Sequence, residues 1–109
     1  MGMTREAISA LRAAARAPML RFEAASSLGR LYLKEGDMPH AIEWLERAAE
    51  APAPGEAETC ALLYELGSIL EEAGESSRAL AVFLELQADA PDYRDVPARI
   101  ERLAQRTGS

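Results

Sequence analysis

Asparagine is missing from this chain of 109 residues, and valine, cysteine and histidine are scarce. Val82 and Val96, with Ile8, Ile42, Ile69 and Ile100, are its only β-branched aliphatic residues, so strands have almost nothing to be built from. Cys60 is the single cysteine. It can form no internal disulfide, and no Cys/His set has the spacing of a zinc site. His40 is the single histidine, and nothing near Cys60 would activate a thiolate. No glycine-rich phosphate loop is present. These absences make an enzyme, a cofactor site or a metal site unexpected. Basic charge is also short: the net charge is −6, whereas a nucleic-acid binder needs a basic footprint to displace counterions. No apolar run reaches the length that spans a bilayer, and no secretory apolar core opens the chain. Neither nucleic acid nor membrane insertion is expected, and the expected location is cytoplasmic.

What is present is alanine, leucine and a repeat. Hydrophobic residues make up 49% of the chain and aromatics only 6%, a balance that favours helices packed at close range. Ala7, Leu11 and Ala14 return 34 residues later as Ala41, Leu45 and Ala48, and after 38 more as Ala79, Phe83 and Leu86. Leu28-Gly29 returns as Leu66-Gly67, and Gly36 as Gly74. Self-similarity at this period signals a solenoid of stacked repeats.

Periodicity and punctuation predict six helices. The first is expected over 4–17, capped by Thr4, with Ile8 and Leu11 on its apolar stripe and Pro18 at its end. The second is expected from Met19 to Lys34. Gly36-Asp37 then closes one helix and caps the next, and Pro39 falls in the first turn of a helix that runs to Glu50. Ala51-Pro52-Ala53-Pro54-Gly55 is a break. A fourth helix is expected over 56–73, a fifth capped by Ser76 or Ser77 and running to Asp89, and a last one capped by Asp95. Thr107-Gly108-Ser109 is expected to fray.

The run from Leu28-Gly29 through Tyr32, Gly36-Asp37, Ala41, Leu45 and Ala48 resembles the tetratricopeptide repeat. So does its second copy, Leu66-Gly67, Leu70, Gly74-Glu75, Ala79, Phe83 and Leu86. Leu70 replaces the usual aromatic, Leu86 the usual alanine, and four extra residues fall between the copies. The resemblance implies an all-α fold, an α-solenoid of antiparallel helix pairs with about six helices. One domain over 4–106 would divide into a half repeat at 4–17, repeats at 19–50 and 57–90, and a capping helix at 95–106. In that last helix Glu101 stands where a glycine is usual.

The resemblance further implies a non-catalytic adaptor or scaffold that binds a peptide or partner helix in a concave groove. The first helix of each repeat would line it, with Glu23, Ser26, Ser27, Arg30, Leu33 and Lys34 from one repeat. Tyr64, Ser68 and Glu71 would come from the next, and Arg99, Arg102 and Arg106 from the cap. Arginine and tyrosine concentrate binding energy, so Arg30, Lys34, Tyr64, Ser68, Glu71, Arg99 and Arg102 are the expected contact residues. One class of these repeats clamps a terminal carboxylate with lysine and asparagine, and the lack of asparagine argues against that clamp. Ile8 and Leu11, on a helix without an outer partner, are expected self-association residues. A homodimeric scaffold, or a regulatory piece of a larger bacterial protein, is the alternative reading.

Charge is unevenly spread. Residues 1–34 carry +4 and 94–106 carry +2, while seven carboxylates and no Lys or Arg lie between Glu50 and Glu75. Such blocks steer charged partners. Trp44, the one tryptophan, is expected to pack between repeats.

Overall fold

Six helices form among the described residues: α1 Gly2–Ala14, α2 Arg21–Lys34, α3 Met38–Glu50, α4 Glu56–Glu72, α5 Ser76–Asp89 and α6 Val96–Thr107. The structure, a computed structural model, describes residues 2–17 and 20–107. No strand occurs among them, and the fold is an all-α helical repeat. Pro18 and Met19, expected to end one helix and open the next, lie outside the described residues, as do Gly108 and Ser109.

The chain divides into two compact units, Met1–Pro54 and Gly55–Ser109, at the proline-rich break. In the first unit α2 packs on α3 and α1 packs on α2. Ala24, Ala25 and Leu28 of α2 meet Ala41, Ile42, Leu45 and Ala48 of α3 in the core. A Cβ added at Gly29 would stand 2.6 Å from Leu45 Cγ, so the bare backbone of α2 is what lets Leu45 seat. In the second unit α4 packs on α5 and α5 on α6. Gly67 plays the same part: a Cβ there would stand 2.8 Å from Phe83 Cζ. Leu62, Leu66 and Leu70 of α4, Phe83 and Leu86 of α5, and Val96 and Leu103 of α6 complete this core.

The turns repeat as well. Gly36 and Gly74 have φ of 82° and 81°, the left-handed conformation that costs glycine least. Asp37 N–H reaches back to Tyr32 O at 2.8 Å and Glu75 N–H to Leu70 O at 2.9 Å, the paired closure of a Schellman end. Asp37 then caps α3, its carboxylate accepting from His40 N–H.

Three expected caps are corrected. Thr4 lies inside α1, which already runs from Gly2. Helix α1 also stops at Ala14, with Ala15–Ala17 in turns, as a proline at 18 disfavours helical backbone just before it. Glu75 rather than Ser76 or Ser77 holds the N-cap of α5, because the Schellman turn puts residue 75 where Asp37 stands in the preceding copy. Ahead of α6, the Asp95 carboxylate binds side chains, Tyr64 and Arg99, in place of the cap expected of it.

Candidate functional site

Tyr64, Ser68 and Glu71 follow one another at i, i+4 and i+7 along α4, and so share a face. Arg99, Arg102 and Arg106, at i, i+3 and i+7, share a face of α6. The second unit brings the two rows together. Ser68 Oγ donates to Tyr64 O at 2.8 Å and accepts from Arg99 Nη1 at 2.9 Å. Arg102 donates through Nε and Nη2 to Glu71 Oε2, at 3.1 and 2.7 Å. Arg99 Nη1 lies 3.4 Å from Glu71 Oε1, and Arg106 Nη1 lies 3.7 Å from Oε2. One carboxylate, 13% exposed, therefore anchors three guanidinium groups. Ser68, Glu71, Glu72 and the three arginines line a concavity of about 450 Å³. Arg102 and Arg106 keep roughly half of their side chains exposed, so their remaining N–H donors stay open to a second acceptor.

At the other end of this row Tyr64 O–H donates to Asp95 Oδ1, and Arg99 Nε donates to Oδ2 at 3.1 Å. The Asp95 hydrogen bond, with burial adding to it, pushes the Tyr64 phenol above its ordinary value. The same bond, joined by Arg99, holds the Asp95 carboxyl below its ordinary value. The Tyr64 ring packs edge-on against Phe83 and carries the Arg99 and Arg94 guanidiniums, each 5.1 Å from its centroid. Arg94 holds that position with φ of 45°, an uncommon backbone state for a residue other than glycine.

Five of the expected contact residues, Tyr64, Ser68, Glu71, Arg99 and Arg102, thus form one connected cluster. Arg30 and Lys34 lie on α2 in the first unit, exposed and one turn apart. Ser26, expected on the groove face beside them, is instead buried, its hydroxyl turned back on Phe22 O and Glu23 O. Ile8 and Leu11 are half-buried on α1, where no side chain among those described is fully buried. His40 sits in the first turn of α3, bonded to Asp37 Oδ2 at 2.7 Å and stacked on Tyr32. Cys60 is buried, and burial, with Asp89 and Glu56 nearby, pushes its thiol up, away from a reactive thiolate. Among the described residues no group of three or more His, Cys, Asp or Glu is arranged to hold a metal. No described helix is long and apolar enough to cross a membrane.

Sequence reasoning did not find a second concavity, in the first unit. It measures about 590 Å³ and is lined by Arg12, Ala15, Arg16, Arg21, Ala25, Glu43, Trp44, Arg47 and Glu50. Trp44 is 7% exposed, with the Arg47 guanidinium 4.5 Å from its ring centroid and that of Arg12 at 5.9 Å. Such contacts contribute about 0.5–2 kcal/mol each. The indole Nε1 is buried with no acceptor. The only sequence signal was the basic excess of residues 1–34, since Arg12 and Arg47 come from different helices.

The sequence model of one family, the tetratricopeptide repeat, matches residues 1–57, more than half of the chain. No curated protein matches it.

Proposed function

This chain belongs to the tetratricopeptide repeat family, and from that premise we propose a non-catalytic adaptor or scaffold that binds a peptide or a partner helix. Repeats of this family generally mediate protein–protein interaction and are typically not catalysts. The binding residues of our reading are, in the first unit, Arg30 and Lys34 on the exposed face of α2 and, in the second, the α4–α6 row of Tyr64, Ser68, Glu71, Arg99 and Arg102. In this reading residues 4–106 serve as one interaction domain in the cytoplasm. The observation that carries it is the Glu71 anchor, which holds three arginines in place before any partner arrives. Side chains already ordered lose less entropy on binding. The guanidinium fork then meets acidic groups of the partner, while Tyr64 supplies ring area.

The test is capture from a host lysate by the immobilised chain, identified by mass spectrometry. Arg30→Glu with Arg102→Glu is expected to reduce capture about tenfold or more, with circular dichroism unchanged. Equal capture by that folded double variant removes these faces from the binding surface.

A second reading is self-association through α1. It rests on Ile8 and Leu11 being only half-buried on a helix with no fully buried side chain among those described. Light scattering across concentration separates the readings. A constant monomer mass sinks the homodimer, and a rising mass that Ile8→Lys abolishes supports it.

A further inference from the structure

We propose that the first unit carries a second interaction site, the arginine-lined concavity around Trp44, and that it takes a carboxylate-bearing peptide segment of a partner protein. The site shares no residue with the α2 and α4–α6 faces, so it stands or falls separately from them.

Arg12, Arg16, Arg21 and Arg47 converge from α1, the turn after it, α2 and α3 on one hollow. Among the described residues none of the four forms an ion pair. The chain holds 18 acidic residues against 12 basic ones, so carboxylates are not in short supply. In the second unit the opposite holds, where Glu71 alone engages three arginines. Four guanidiniums against two carboxylates, Glu43 and Glu50, leave the hollow net positive, a field that attracts anions.

The arginines are also positioned. Arg12 Nη2 donates to Tyr32 O–H at 2.8 Å, and Arg21 Nε donates to Ala15 O at 3.3 Å. Arg47 and Arg12 lie on the Trp44 ring. Each contact uses at most one of the five N–H donors of its guanidinium. The planar forks that remain suit carboxylate oxygens.

Trp44 lines the same hollow and holds two of the arginines, Arg12 and Arg47, against its ring.

The two acidic lining residues decide which anion. Glu43 and Glu50 share the hollow with the four arginines. A bare phosphate ion would be repelled by both. A peptide brings carboxylates for the arginines and backbone N–H donors for Glu43 and Glu50. A volume of about 590 Å³ holds a few residues rather than a long helix.

Trp44 is the only tryptophan, so its fluorescence reports on this hollow directly. The full chain is titrated to roughly 1 mM with a blocked hexapeptide of alternating glutamate and alanine, with the matching glutamine peptide, and with inorganic phosphate. Calorimetry runs in parallel. The expected result is a saturable change in emission with the glutamate peptide alone, weakened by added salt. Arg16→Ala, at an exposed side chain with no ion pair, is expected to weaken binding several-fold. Arg16→Glu with Arg47→Glu is expected to weaken it at least about tenfold. The proposal is overturned by equal binding of the glutamine peptide, by phosphate binding as tightly as the glutamate peptide, by no binding at all, or by Arg16→Ala binding like wild type.

Discussion

Gly67 shows how much a single hydrogen atom decides. A methyl group there would press on the Phe83 ring at 2.8 to 3.0 Å, and Phe83 is fully buried. Gly67→Ala is therefore expected to destabilise the chain by about 1–3 kcal/mol through overpacking, read by urea denaturation. Adding Phe83→Leu, which frees ring volume, should recover part of the loss. This contact was legible in sequence, because Leu-Gly facing a small/large partner pattern recurs in both copies. The Tyr64–Asp95 bond was not, since its partners lie 31 residues apart. That bond has pH consequences of two signs. The Tyr64 pKa is raised in the fold, so its contribution is present below the ordinary tyrosine value of 10.0 and is lost as pH rises through the folded value. The Asp95 pKa is lowered, so its contribution is present above the ordinary aspartate value of 3.8 and is lost as pH falls through the folded value. Ultraviolet absorbance should show one of the three tyrosines ionising late. Asp95→Asn should bring that step earlier, because the main cause of the raised value is gone; an unmoved step would refute the assignment.

Helix ends and helix partners belong to the next scale. Helices α3 and α5 start from the same Schellman turn with similar N-cap geometry, φ −98° and ψ 79° at Asp37 against φ −87° and ψ 64° at Glu75. Only the shorter aspartate caps, while Glu75 makes no cap bond and reaches Arg78 at 3.8 Å. That exposed pair is worth little. Glu75→Asp should therefore stabilise α5 by about 0.5–1 kcal/mol, measured as a higher urea midpoint, and a lower midpoint would refute the register argument. The sequence misplaced this cap because serine is the better N-cap by type, and the register of the turn outweighed type. Helix α6 shows another limit. Its arginine row was visible in sequence, whereas its dependence on Glu71 needed α4 and α6 to be seen side by side. The Trp44 hollow was less visible still, because its walls come from three helices, none of which announces a pocket alone.

For the whole molecule the decisive quantity is charge. The first unit balances seven basic against seven acidic residues, and the second carries five against eleven, so the entire net charge of −6 resides after the break. Two copies repel at low salt, and salt screens that repulsion over about 8 Å at physiological strength. If α1 mediates self-association, the scattering mass should rise with salt, and a mass that falls would exclude an apolar α1 contact. The sequence by itself determined the repeat, the helices, the two glycine-seated cores and the net charge of −6. These follow from local spacing, which a helix of 3.6 residues per turn converts directly into faces. Only the tertiary structure decided which charges are spent and which are left. Glu71 engages three arginines of α6, while among the described residues the four arginines around Trp44 form no ion pair. Ion pairing depends on distances of a few ångströms between residues far apart in sequence, and no periodicity encodes them.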